Sequence, residues 1–224
     1  MNKLNHVAFI MDGNGRWGLK HKKNRNLGHL EGVNTVKKIV DASIKLNIPI
    51  VTFYVFSSEN WNRPAREIKF LFKLIYQYFK SELKNIVKNN IKINILGRNK
   101  KLPPKIKQIL NKITKLTKDN KKIIVNLAIN YGSKNEIIDS FKKIKLNKSN
   151  ITENSINKFL YNRLPFPDIL IRTGGQKRLS NFMLWQLAYA ELFFLEKLWP
   201  DFNKNDLKTI LKKYYKIKRN FGAI

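Results

Sequence analysis

The sequence predicts an α/β fold: a mostly parallel sheet of about six strands with surrounding helices. Three observations predict it. Short apolar runs recur at Val7–Met11, Ile50–Phe56, Ile91–Leu96, Ile123–Ile129, Ile169–Ile171 and Leu192–Leu195. Amphipathic stretches alternate with them at Leu30–Leu46, Ala65–Lys88, Pro104–Thr117, Lys134–Ile144 and Asp206–Lys218. That alternation builds βαβ units, whose parallel strands are covered on both faces and therefore read as continuous apolar runs. A glycine-rich turn follows the first run, where open α/β sheets bind their ligands. The chain is 43% hydrophobic and 12% aromatic over 224 residues, with no repeat and no linker. Residues 1–224 therefore read as one domain.

The first run belongs to HVAFIMDGNGRW, His6 to Trp17. Beyond its end, Gly13 and Gly15 predict a tight turn with amides able to cradle phosphate oxygens. Asp12 is a hard oxygen ligand suited to magnesium, and Arg16 is a planar fork that matches phosphate. The string alone reads equally well as an ordinary strand and Asp-Gly turn. NRNLGH follows, with Arg25 and His29 at a helix start. His29 is a structural histidine or a donor to phosphate. After the second run comes SSENWNR, Ser57 to Arg63, where Asn62 is expected to cap a helix and Pro64 to fit its first turn. Ile68, Leu71, Phe72, Ile75, Phe79, Leu83 and Ile86 then share one helical face, which serves a packed core or lines a channel for a long hydrocarbon. The polar stretch from Lys142 to Ser155 reads as a surface connection. The fifth run leads into RTGGQKRLS, Arg172 to Ser180. Four arginine-bearing segments thus follow strands or open helices, and together they describe a pocket for diphosphates.

Composition narrows the functions. There is no cysteine, which excludes a disulfide framework and thiolate chemistry. No run approaches the ~18 apolar residues of a membrane span, and Asp12 interrupts the N-terminal run, so no signal peptide is expected. A soluble, cytoplasmic protein follows as the expectation. The formal charge is +30 from 36 lysines and 9 arginines against 15 acids. The lysines are spread along the chain rather than clustered, so no nucleic-acid partner is expected. The charge favours anionic substrates and acidic membrane surfaces.

These residues resemble the cis-prenyltransferases, the isoprenyl or undecaprenyl diphosphate synthases. The likeness runs through HVAFIMDGNGRW, Gly28–His29, FYVFSSENWNRP (Phe53–Pro64), LAINYG (Leu127–Gly132), ILIRTGG (Ile169–Gly175), RLSNFMLWQLAYAEL (Arg178–Leu192) and LWPDF (Leu198–Phe202). It implies a hydrophobic tunnel, a homodimer, and condensation of isopentenyl diphosphate onto an allylic diphosphate. By position it implies that Asp12 binds magnesium, with Glu191 a second acidic residue near the metal. Gly13, Asn14, Gly15, Arg16, Trp17, Arg25 and His29 match the allylic diphosphate site. Ser57, Ser58, Glu59, Asn60, Trp61 and Arg63 match a mobile segment between the substrates. Arg172, Arg178, Leu179 and Ser180 match the isopentenyl diphosphate site.

The implied chemistry suits the residues: magnesium and arginines stabilise the charge that develops on a departing diphosphate. Asn60 stands where the family assigns the proton acceptor, but an amide is a poor base, so positioning or relay is expected of it. The chain has no Asp-Asp pair of the kind that the unrelated trans-prenyltransferases use. It departs from many relatives in carrying Gln176 where they have Glu, and its 142–164 connection is shorter than in familiar bacterial members. Its end, Arg219-Asn220-Phe221-Gly222, resembles the bacterial Arg-Phe-Gly ending. Ile123 lies near the position of the tunnel floor, and a bulky residue there implies a finite product such as undecaprenyl diphosphate, a carrier for cell-envelope glycans. That product's tail implies peripheral membrane association without an anchor in the chain.

Overall fold

The computed structural model describes residues 2–220. Phe221 and Gly222 lie outside the described residues. One sheet holds β1 (His6–Ile10), β2 (Ile50–Ser57), β3 (Ile91–Leu96), β4 (Ile123–Tyr131), β5 (Ile169–Arg172) and β6 (Glu191–Phe194), in the order β3-β4-β2-β1-β5-β6. Every pairing is parallel. The covering helices are α1 (Asn14–Lys22), α2 (Arg25–Lys45), α3 (Ala65–Lys88), α4 (Pro104–Leu116), α5 (Ser133–Leu146), α6 (Glu153–Phe159) and α7 (Lys204–Tyr214). The parallel α/β architecture expected from the sequence is the one observed. No helix among the described residues is long and apolar enough to cross a membrane.

The strands alternate between two cores. Val7 and Phe9 of β1 face a large cluster with Phe53, Phe79, Trp199 and Phe202, whereas Ala8 and Ile10 face a smaller one with Leu170, Phe182 and Met183. Phe9 stacks on Phe53 at 5.0 Å and meets Trp199 edge-on at 5.8 Å, tying the centre of the sheet to the segment before α7. A polar line also crosses the sheet. His6 Nε2 meets Thr52 Oγ1 at 2.6 Å, Asn126 Nδ2 donates to Thr52 Oγ1 at 2.9 Å, and Asn94 Nδ2 donates to Asn126 Oδ1 at 3.0 Å.

Three local expectations change. NGRWGLKHK folds as α1, although it carries no apolar period. Asn62 does not cap α3; it ends a 3₁₀ turn over Ser58–Asn62, and α3 starts beyond Pro64. A residue before proline is pushed out of the helical region, and Arg63 is accordingly extended at φ −75°, ψ 160°. Within the polar connection, Thr152 and Ser155 form a capping box that starts α6.

The topology positions the site. From β1 the chain turns toward β2, and from β5 it turns toward β6 on the other side. The carboxyl ends of β1 and β5 therefore flank the switch point, where a crevice opens.

Candidate active site

Asp12 follows β1, and Arg172 ends β5 across the crevice. Arg172 Nη2 donates to Asp12 Oδ2 at 2.8 Å, and Arg16 Nη2 donates to Asp12 Oδ1 at 3.2 Å. Arg172 is buried, and it also donates to Ser180 Oγ at 2.8 Å and to the Arg178 carbonyl. Arg16 is pinned further by the Gly174 carbonyl at 2.7 Å. Gly13 sits at φ +106° at the start of α1, where a Cβ would lie 2.7 Å from Leu198 Cδ2. Its left-handed backbone turns the chain so that the first amides of α1, which have no intrahelical carbonyl to meet, border the crevice.

The other wall comes from α2, β2 and the start of α3. Arg25 and His29 lie on the first turns of α2, and Asn24 caps that helix by accepting from the Asn26 amide at 2.9 Å. Arg63 pairs with Glu67 of α3, Nη1 to Oε1, at 3.0 Å. The Ser57 amide donates to Asn60 Oδ1 at 3.1 Å. A backbone N–H can only donate, so the Asn60 carbonyl is engaged and its NH₂ is the group left for the cavity. Burial lowers the pKa of His29, against the opposing pull of Glu67. Burial also keeps the Tyr54 phenol protonated, 3.3 Å from the carbonyls of Tyr131 and Ser180.

These groups line a polar cavity of about 350 Å³. It includes Asp12, Gly13, Asn14, Gly15, Arg16, Arg25, His29, Ser57, Asn60, Arg63, Arg172, Arg178 and Ser180. Beside it lies a narrow apolar cavity of about 110 Å³ between α2, α3 and the sheet. The two share Met11, Asn14, His29, Val55 and Leu71 as a common wall. Asn14 Oδ1 and Arg172 Nε are buried without a hydrogen-bond partner, and both residues line the polar cavity. Buried polar atoms left unpaired are rare in proteins, so two of them at one site point to a polar ligand.

Other expected residues lie elsewhere. Trp17 leaves the cavity, donating to Asp201 Oδ1 at 2.6 Å. Ser58 packs against Gly132, and Glu59 accepts from Asn181 Nδ2 at 2.8 Å. Trp61 turns into the core, with Phe56 at 5.1 Å and its indole donating to Asn130 Oδ1 at 2.8 Å. Leu179 packs on the smaller core. Glu191, implied as a second acidic residue near the metal, does not line the polar cavity with Asp12. Glu191 opens β6 opposite Ile169, at the amino edge of the sheet, and its carboxylate lies 3.5 Å from Arg219 Nε. Tyr54, Val55 and Glu67 were not singled out from sequence. The first two sit inside an apolar run, and Glu67 reads as an ordinary first-turn acid. Leu71 belongs to the apolar face of α3 and lines both cavities.

Asp12 is the one carboxylate among the described residues lining the polar cavity, and no group of three or more metal-ligating acids and histidines occurs among the described residues. Magnesium commonly takes one or two carboxylates together with substrate phosphates and waters. One carboxylate set among phosphate-binding cations fits a metal that is shared with a diphosphate.

The family described as "Putative undecaprenyl diphosphate synthase" matches residues 10–222. The chain belongs to the undecaprenyl diphosphate synthase family. Relatives in this family include an isoprenyl transferase of Fusobacterium nucleatum, 44% identical over 98% of this chain and 96% of its own. A farnesyl-diphosphate-specific ditrans,polycis-undecaprenyl-diphosphate synthase of Buchnera aphidicola is also 44% identical, over 99% of this chain and 92% of its own. Among solved structures, a probable undecaprenyl diphosphate synthase from Campylobacter jejuni superposes with TM-score 0.86 at 34% identity, over 99% of this chain and all of that one. Lavandulyl diphosphate synthase from Lavandula x intermedia, in complex with dimethylallyl diphosphate, superposes with TM-score 0.92 at 32% identity, over 97% of this chain and 98% of that one. The undecaprenyl diphosphate synthase match begins at the last residue of β1 and runs beyond α7, so both walls of the crevice lie inside it.

Proposed function

We propose that the protein is a magnesium-dependent cis-prenyltransferase of one domain. It condenses isopentenyl diphosphate onto an allylic diphosphate, with farnesyl diphosphate as starter, and makes undecaprenyl diphosphate for cell-envelope glycan carriers. The observation that carries this reading is the junction of the two cavities. A cationic cavity suited to diphosphates opens into an apolar one suited to a prenyl tail.

The allylic diphosphate rests on the first turn of α1, with Arg16, Arg25, His29 and Arg63 as counter-charges. Isopentenyl diphosphate rests on Arg172, Arg178 and Ser180. Holding the two side by side supplies proximity. The allylic C–O bond breaks, the isopentenyl double bond attacks the allylic carbon, and a proton leaves the new chain. The arginines stabilise the charge gathering on the departing diphosphate. Asn60 presents an NH₂ donor, so it orients a diphosphate, and a diphosphate oxygen accepts the proton. Asp12 would hold magnesium, which when bound would add to the neutralisation of the leaving group.

The enzyme works as a homodimer in the cytoplasm, peripheral to the membrane through its product. The exposed Leu192 on the edge strand β6 supports a second copy as partner.

The test is incubation with farnesyl diphosphate, labelled isopentenyl diphosphate and magnesium. Butanol-extractable label is expected, and none across detergent conditions would refute the reading. Because Asp12 is the one carboxylate among the described residues lining the cavity, magnesium titrated by itself is expected to bind weakly. The same titration with inorganic pyrophosphate present is expected to bind well, and calorimetry separates the two.

A further inference from the structure

Two side chains outside the polar cavity meet beside it. Asn181 Nδ2 donates to Glu59 Oε1 at 2.8 Å. Neither residue lines the cavity, but the next residue to each, Ser180 and Asn60, does. Asn60 lies on the 3₁₀ turn that follows β2, and Ser180 lies on the loop that follows β5. The bond therefore ties together two segments that come from different strands and that each place a polar side chain in the cavity.

Asn181 is itself fixed by α5. That helix begins at Gly132, which has no side chain to cap it. The first amides of a helix have no intrahelical carbonyl to meet. Asn181 supplies acceptors for two of them from far along the chain. Its carbonyl accepts from the Ser133 amide at 2.8 Å, and its Oδ1 accepts from the Lys134 amide at 2.9 Å. A backbone N–H can only donate, so Oδ1 faces α5 and the NH₂ is left for Glu59. A Cβ on Gly132 would lie 2.7 Å from Asn181 Nδ2, so the close approach requires glycine there. Ser133 returns a bond to the same loop, its Oγ accepting from the Leu184 amide at 2.9 Å. Ser180 and Asn181 sit at φ +50° and +61°, a left-handed backbone that asparagine adopts more readily than most residues. Held in that turn, Ser180 Oγ accepts from Arg172 Nη1 at 2.8 Å.

We propose that Asn181 is a positioning residue that sets the spacing between Ser180 and Asn60. By capping α5 it anchors the loop that carries Ser180, and by donating to Glu59 it holds the 3₁₀ turn that carries Asn60. The inference rests on the reading of this cavity as the diphosphate site. Asn181 touches no substrate; it acts through its neighbours, and what it controls is how the isopentenyl diphosphate on Ser180 and Arg172 lies relative to Asn60.

Substitution separates the cap from the bridge. Asn181→Asp keeps an oxygen for the α5 amides, and an acid suits a helix N-terminus. It loses the NH₂, however, and sets a like charge against Glu59. Glu59→Gln in the same chain restores a donor to the pair without touching the cap. Steady-state kinetics of the full chain, paired with thermal melts, read the result. Asn181→Asp is expected to melt like the wild type and to lower kcat/KM for isopentenyl diphosphate about three- to tenfold, the scale of one hydrogen bond. Adding Glu59→Gln is expected to recover most of that loss, which a merely structural role for Asn181 would not produce. A wild-type kcat/KM in Asn181→Asp, or a double variant no better than Asn181→Asp, overturns the proposal. Should Asn181→Asp not fold, Glu59→Ala decides, because it removes the bridge and leaves the α5 cap whole: a lowered kcat/KM for isopentenyl diphosphate is expected, and an unchanged one overturns the proposal. A wild-type chain that makes no product overturns the functional reading instead.

Discussion

Asp12 accepts from two arginines, one of them buried, and this explains both its orientation and the cost of losing it. Asp12→Ala is expected to lower turnover by at least about 10²-fold, the scale of removing one electrostatic contributor from an active site. It also leaves Arg172 buried without its carboxylate, so Asp12→Asn is the cleaner comparison. Steady-state assays paired with thermal melts check this, and wild-type turnover in either variant would sink the assignment. A second prediction concerns His6. Its Nδ1 meets the Pro165 carbonyl at 2.7 Å and must donate there, so Nε2 accepts from Thr52 and the ring is neutral. Burial lowers its pKa to about 4, from 6.5 unfolded. Between those values the unfolded chain binds the extra proton. Stability is therefore fully present above pH 6.5 and falls as pH descends toward 4, by about 3 kcal/mol. Urea midpoints across that range should show the decline, and His6→Gln should flatten it. At Gln176, a neutral Oε1 accepts from Arg178 Nη1 at 2.6 Å, so the amide holds the arginine without cancelling its charge.

Among the elements, α1 and α2 show how glycine places chemistry. A Cβ on Gly28 would lie 1.9 Å from the Asn14 carbonyl oxygen, and one on Gly18 would lie 2.4 Å from that of Asn24. The two helices touch backbone to backbone, and this contact sets the first turn of α1 at the crevice. Gly28→Ala is expected to cost about 1–3 kcal/mol through overpacking and to raise the KM for the allylic substrate more than that for isopentenyl diphosphate. Urea denaturation and two-substrate kinetics check both. Glu136 plays a similar part on the opposite side. Buried on α5, it accepts from the Tyr131 hydroxyl, from the Tyr161 amide at 2.8 Å and from Gln186 Nε2 at 2.9 Å. One carboxylate thus joins β4, the segment before β5 and the loop that carries Arg178 and Ser180.

Over the whole molecule, the sheet separates recognition from storage. Cations gather at the carboxyl edge, and the apolar cavity runs down one face between α2 and α3. It reaches Leu127 and Ile129 of β4 but not Ile123, which is buried on the same face about 13 Å further along the strand. On the proposed function, a lengthening prenyl tail would advance along this face toward Ile123. Ile123→Ala is expected to shift products to longer chains, read by chromatography of the dephosphorylated prenols. An unchanged distribution would put the limit on another residue.

Much of this was legible in the chain itself. Strand runs such as Ile123–Ile129 and the apolar face of α3 follow from periodicity, because burial on two faces or one imposes it. Asp12 and the arginine-bearing segments stood out by residue type after a strand or at a helix start, and the resemblance alone implied a role for Ser180. The sequence by itself determined the α/β class and which residues are chemically equipped to hold diphosphates. The tertiary structure alone decided that Trp17 and Trp61 turn away, that Glu191 stands at the opposite edge from Asp12, and that Glu67 enters the cationic cluster. Those outcomes depend on strand order and on backbone approach at Gly18 and Gly28. Contacts between residues distant along the chain leave no local period or spacing by which a sequence can reveal them.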